Sequence, residues 1–118
     1  MNTIFGIKNC DTMKRAFKWL DENGITYKFH DYRKDGINEK MVQQFIDQLG
    51  IDLVLNKRGT TWRKVPEEIK AKLDEEGTIE LLSKNEAMLK RPIFKLDGYF
   101  SSGFSRQDQE ELGEKLLK

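Results

Sequence analysis

Within the first thirty residues the apolar pattern changes period twice, and few folds accommodate that change. Thr3-Ile4-Phe5-Gly6-Ile7 reads as a short buried strand that ends near Lys8-Asn9. From Met13 onward the apolar residues Met13, Ala16, Phe17 and Leu20 recur at i, i+3, i+4 and i+7, which is one face of a helix. Asn23-Gly24 supplies its stop signal. Ile25, Tyr27 and Phe29 then alternate with Thr26, Lys28 and His30, the period of a half-buried strand. Strand, helix and strand within about thirty residues make a βαβ unit, whose two strands run parallel.

The middle of the chain reads as helical. Met41, Val42, Phe45, Ile46 and Leu49 share one helix face, with Asn38 placed to cap it and Gly50 to end it. After the polar turn Asn56-Lys57-Arg58-Gly59, Pro66 is expected at a first helical position, ahead of Ile69 and Leu73. Gly77 is expected to close that helix and Thr78 to cap a further one carrying Ile79, Leu81 and Leu82. Strands return in Pro92-Ile93-Phe94-Lys95-Leu96 and Tyr99-Phe100-Ser101, joined by the hairpin signal Asp97-Gly98. Ser105 and Asp108 resemble a capping box for a closing helix with Leu112, Leu116 and Leu117 on its apolar side. The predicted order is βαβ, several helices, then ββα. No repeat, linker or low-complexity segment interrupts it, so one domain over 1–118 is expected.

Charge narrows the function classes. The 21 Lys and Arg side chains nearly balance 20 Asp and Glu, so bulk electrostatics make no case for direct nucleic-acid binding or an acidic membrane. No stretch reaches the apolar length of a membrane span. The N-terminus enters structure without a basic region and apolar run, so no signal peptide is expected. A single cysteine, Cys10, excludes an internal disulfide. These features together favour a reduced, cytoplasmic compartment. One Cys and one His (His30) are too few for a zinc site, and no metal is expected.

Cys10 is the strongest candidate for chemistry, because it sits between the first strand and the amphipathic helix. A helix N-terminus presents unpaired N–H groups and a partial positive charge, which favour an anion. A thiolate there is stabilised, and the thiolate is the nucleophile. Lys8, Lys14 and Arg15 add positive charge close in sequence. The competing reading is a buried cysteine serving as a small apolar side chain. Its setting in Lys8-Asn9-Cys10-Asp11-Thr12, a polar run, argues for reactivity.

Five segments carry a family resemblance. They are Phe5-Gly6-Ile7-Lys8-Asn9-Cys10-Asp11-Thr12, Phe29-His30-Asp31-Tyr32-Arg33-Lys34-Asp35-Gly36, Leu55-Asn56-Lys57-Arg58-Gly59-Thr60-Thr61-Trp62-Arg63-Lys64, Lys90-Arg91-Pro92-Ile93 and Gly103-Phe104. In this order they resemble the ArsC/Spx family of arsenate reductase-like proteins, most of all its YffB-type members. The resemblance implies an α/β, thioredoxin-like fold: a mixed four-stranded sheet, with a helical insertion at about 37–90 between the βαβ and ββα halves. It implies that Cys10 is the catalytic nucleophile and that Arg58 and Arg91 hold an anion. Arg106 is the nearest candidate for the family's third arginine. Pro92 matches a proline that follows a cis peptide bond and faces the cysteine. Asn9 and Thr12 are candidates to hydrogen-bond the sulfur or its adduct, and both are equally good capping and turn residues.

Two features depart from the family's arsenate reductases. Gly6 stands where they carry a histidine four residues before the cysteine, and Asp11-Thr12-Met13-Lys14 replaces their Gly-Thr-Ser-Arg run. Met13 also stands where Spx-type regulators usually carry the second cysteine of Cys-x-x-Cys. The expected function is a thiol oxidoreductase with one nucleophilic cysteine. Its substrate is expected to be a small oxyanion or a mixed disulfide, and glutathione or a glutaredoxin-type protein its reductant. Glutathione would be a co-substrate, with no bound cofactor. The alternative is a Spx-like protein that binds RNA polymerase without turnover. Lys57, Arg63, Lys64 and Lys90 read as solvated charges, His30 as structural, and Trp19 and Trp62 as packing residues.

Overall fold

The first strand forms where its pattern predicts it. In the computed structural model, which describes residues 2–116, β1 (Thr3–Gly6) is followed by α1 (Asp11–Glu22) and β2 (Lys28–Asp31). β2 pairs with β1 in parallel, Ile4 opposite Phe29 and Gly6 opposite Asp31. β3 (Ile93–Leu96) lies antiparallel on the other side of β1, and β4 (Tyr99–Ser102) lies antiparallel to β3. The sheet order β2-β1-β3-β4 makes a mixed four-stranded α/β sheet, as the resemblance implies. Helix α7 (Arg106–Leu116) closes this part of the chain.

Two compact units result: residues up to Tyr32 with those from Arg91 onward, and Arg33–Lys90. In the first, Ile4 of β1 and its partner Phe94 of β3 point to one sheet face, where Met13, Ala16 and Leu20 of α1 and Leu112 of α7 pack on them. All six are fully buried. Burial of a whole apolar side chain is worth about 1.5–3 kcal/mol, so this cluster fixes where α1 begins relative to β1. The α1 stop works as read. The Asn23 side chain donates to the Trp19 carbonyl at 2.8 Å, and Gly24 takes φ 66°. Ile25 belongs to this closing turn, its N–H bonded to the Leu20 carbonyl at 2.9 Å. The second strand is therefore shorter than the alternation over 25–30 predicts. Asp97 and Gly98 both take positive φ, 49° and 89°, as a two-residue hairpin turn requires. At α7 the expected capping box is present: Ser105 Oγ accepts from the Asp108 N–H at 3.1 Å, and Asp108 Oδ2 accepts from the Ser105 N–H at 2.9 Å. Leu117 lies outside the described residues.

The second unit holds α2 (Glu39–Leu49), α3 (Ile51–Val54), α4 (Thr60–Arg63), α5 (Glu67–Lys72), α6 (Glu75–Lys84) and a 3-10 turn at Glu86–Met88. Asn38 caps α2, accepting from the Met41 N–H at 2.9 Å, and Gly50 ends it at φ 83°. Three sequence expectations fail here. Pro66 is the cap of α5 rather than its first helical residue, because its ψ of 141° is extended. Gly77 lies inside α6 and does not close α5. The cap of α6 is Asp74, whose Oδ1 accepts from the Gly77 N–H at 2.7 Å, so Thr78 is a first-turn residue. A Cβ at Gly77 would stand 3.0 Å from that carboxylate oxygen, which accounts for a glycine in a first helical turn. No helix among the described residues is long and apolar enough to cross a membrane.

Candidate functional site

Cys10 is the cap residue of α1, with extended backbone angles φ −135° and ψ 130°, and its carbonyl accepts the first helical bond, from Lys14, at 3.0 Å. Its thiol is half-buried and closes no cap hydrogen bond. The N–H groups of Thr12 and Met13 at the second and third helical positions thus remain available to the sulfur. Partial burial works against the charged form of Cys10. The Met13 and Thr12 N–H groups, and then the hydrogen bond and charge of Arg91, outweigh it and hold the thiol below its ordinary value.

The cation that acts on the sulfur comes from the far end of the sequence. Lys8, Lys14 and Arg15 are close to Cys10 in the chain but exposed, whereas Arg91, just before β3, is the residue whose charge reaches the thiol. Sequence proximity misassigned this role, although the resemblance had singled Arg91 out for anion binding. Its Nη1 is buried and has no hydrogen-bond partner among the described residues. A buried donor without a partner is costly, and an anion beside Cys10 would supply one.

Pro92 follows Arg91 through a cis peptide bond and is fully buried. Its carbonyl accepts from the Gly103 N–H at 2.9 Å, tying the end of β4 to the start of β3. Gly103 has φ 91°, a conformation other residues rarely adopt. Behind the site, Gly6 at the end of β1 meets the Met13 side chain, and Tyr32, almost wholly buried, donates its N–H to the Gly6 carbonyl at 2.8 Å. Burial drives the Tyr32 phenol well above its ordinary value, the Arg91 charge offsetting part of the rise. Tyr32 lies in one of the five family-like segments, yet nothing in its sequence pattern places it near the thiol.

Cys10, Thr12, Arg91 and Pro92 thus belong to the sheet unit, with Arg91 and the Thr12 N–H both acting on the sulfur. Asn9 precedes Cys10 and is exposed, and Arg106 is the exposed first residue of α7. Arg58 belongs to the helical unit, exposed on the turn that leads into α4. His30 sits on β2 with its ring 5.2 Å from that of Phe5. Among the described residues no group of three or more His, Cys, Asp and Glu side chains converges as a metal site would need.

Known proteins resemble this chain in sequence and fold. The family model described as ArsC family matches residues 5–112. The structure of a protein named YFFB superposes with a TM-score of 0.88 at 40% identity, covering all of both chains. An arsenate reductase (ArsC) related protein from Brucella melitensis is 42% identical, with a TM-score of 0.76 over 98% of this chain and 95% of its own. The global transcriptional regulator Spx of Listeria innocua is 23% identical over 110 residues, 92% of this chain and 83% of its own.

Proposed function

The chain belongs to the ArsC family, and on that premise we propose that it is a cytoplasmic thiol oxidoreductase in which Cys10 is the nucleophile and glutathione the external reductant. The observation that carries the reading is the sulfur of Cys10 at the cap of α1, held toward its thiolate by two backbone N–H groups and by Arg91. A thiolate stabilised in this way is both the attacking and the leaving group of disulfide exchange.

The chain contains one cysteine, so the resolving sulfur comes from outside. With a glutathione mixed disulfide as substrate, the Cys10 thiolate attacks the glutathione sulfur, forms a Cys10–glutathione disulfide and expels the substrate thiolate. A second glutathione thiolate attacks that disulfide, leaves as oxidised glutathione and returns Cys10. With an oxyanion, the thiolate displaces one oxygen as water. Glutathione then attacks the Cys10 sulfur, and the reduced oxyanion leaves with the electron pair. A second glutathione then resolves the Cys10–glutathione disulfide that the oxyanion route leaves, so that route consumes two glutathiones per cycle and the mixed-disulfide route consumes one. Arg91 holds the anionic substrate or the glutathione carboxylates beside Cys10, and Arg58 and Arg106 are separate candidates for anion contact. Asn9, Thr12 and the backbone at Pro92 line the adduct. A glutaredoxin-type protein can stand in for glutathione in the second step.

Likeness to Spx over 110 residues favours a second reading, a protein that works by binding RNA polymerase. Met13 replaces the second thiol of the redox switch in that reading, so the binder would not switch. The experiment is a turnover assay with glutathione and either arsenate or a small mixed disulfide, beside a pull-down with RNA polymerase. Reduction that is lost in Cys10→Ser supports the oxidoreductase. Polymerase capture by a protein that reduces neither substrate supports the alternative.

A further inference from the structure

We infer that Gly6 and Met13 are a positioning pair that seats Arg91 against Cys10, an inference that deepens the reading of Cys10 given above. Met13 lies on α1 three residues after Cys10 and is fully buried. Its side chain ends over the bare Cα of Gly6. A Cβ built at Gly6 would overlap Met13 Sδ and stand 2.6 Å from Met13 Cε. The same point lies 3.4 Å from the Cβ of Arg91. One methyl-sized volume is therefore shared by the end of β1, the first turn of α1 and the residue before Pro92.

Gly6 is not there for backbone freedom, since it needs no positive φ. It is there for space. Its carbonyl is held by the Tyr32 N–H at 2.8 Å, so the strand end cannot retreat. A side chain at position 6 must push the thioether aside. Methionine is flexible enough to yield, and the inference is that it yields toward Arg91, whose Cβ borders the same volume, or shifts the first turn of α1. Both are the groups that face the sulfur of Cys10. Gly6 and Met13 are therefore constrained together, because the thioether fills the volume that any larger residue at position 6 would need.

The test is the pH midpoint of Cys10 alkylation by iodoacetamide in the intact protein, with circular dichroism as the check on folding. Gly6→Ala should raise the midpoint by about one pH unit, roughly a tenfold loss of thiolate at a fixed pH below it. Gly6→Ala combined with Met13→Val, which removes the thioether end, should recover at least half of that shift. Met13→Leu, which keeps the volume but withdraws the flexible end from Gly6, should also raise the midpoint and serves where Gly6→Ala does not fold. Folded variants with the unsubstituted midpoint, or a shift that the double variant does not reverse, overturn the pair. An ordinary cysteine midpoint in the unsubstituted protein overturns instead the activated-thiolate reading of the previous subsection, so the two failures are distinguishable.

Discussion

The guanidinium of Arg91 acts on the sulfur of Cys10 by hydrogen bond and by charge, while its own Nη1 stays buried without a partner among the described residues. One side chain thus joins the cis-proline loop to the cap of α1. It favours the thiolate and keeps one buried donor for an anion beside it.

Arg91→Ala should therefore raise the alkylation midpoint of Cys10, since removing the positive charge and the donor favours the protonated thiol. It should also weaken protection of Cys10 by sulfate roughly tenfold to a hundredfold, the worth of a charge-assisted contact at about 1.5–3 kcal/mol. Arg91→Lys should restore part of the midpoint and less of the anion binding, because it keeps charge and loses the planar fork. An unchanged midpoint in Arg91→Ala would remove the guanidinium from the account.

Arg58→Ala tests the separate expectation that this residue of the helical unit contacts an anion. It should weaken sulfate and glutathione binding, measured by calorimetry, by a similar factor while the circular dichroism spectrum stays the same. Full affinity in this variant would return Arg58, exposed on its turn, to the solvated surface.

Two groups give the fold opposite pH dependences. Cys10 titrates lower in the fold than its ordinary value of 9.0, so just below 9.0 the unfolded chain holds a proton that the folded one has lost. Its contribution to stability is present above 9.0 and disappears as pH falls through the folded value. Tyr32 titrates higher in the fold than its ordinary value of 10.0. Above 10.0 the unfolded chain ionises first, and stability falls as pH rises. Urea midpoints measured across pH should show a slope just below 9.0 that flattens in Cys10→Ser, and a decline above 10.0 that flattens in Tyr32→Phe.

Stability should follow the caps and the core separately. Asp74→Ala removes the acceptor of the Gly77 N–H and should cost about 1 kcal/mol. Phe94→Ala empties the centre of the sheet unit and should cost about 3–5 kcal/mol in chemical denaturation. A cost at Asp74 equal to that at Phe94 would mean that the cap governs more than its own helix.

The sheet was legible because its signals are local and strong. Met13, Ala16 and Leu20 repeat at helical spacing, Asp97-Gly98 permits one kind of turn, and Ser105 with Asp108 announces α7. The helical unit was legible only in outline. Around residues 66–78 several capping residues lie within reach of one another, and the choice of Asp74 over Thr78 depends on backbone geometry that composition does not express. At the site, Cys10 could be found from its place between strand and helix. Its cation could not be found by sequence proximity, since nearby lysines are exposed and the effective charge arrives through the pairing of β1 with β3. Tyr32 and the contact of Met13 with Gly6 are likewise long-range facts, visible only once α1 is laid on the sheet.

The central claim is that Cys10 forms a mixed disulfide that an external thiol must resolve. Intact-mass spectrometry of the reduced, folded protein incubated with oxidised glutathione tests it most directly. The predicted result is a gain of one glutathione on the protein, none on Cys10→Ser, and reversal by reduced glutathione. A protein that stays unmodified over a wide range of glutathione ratios, or that forms a Cys10–Cys10 dimer on non-reducing electrophoresis instead, would contradict it.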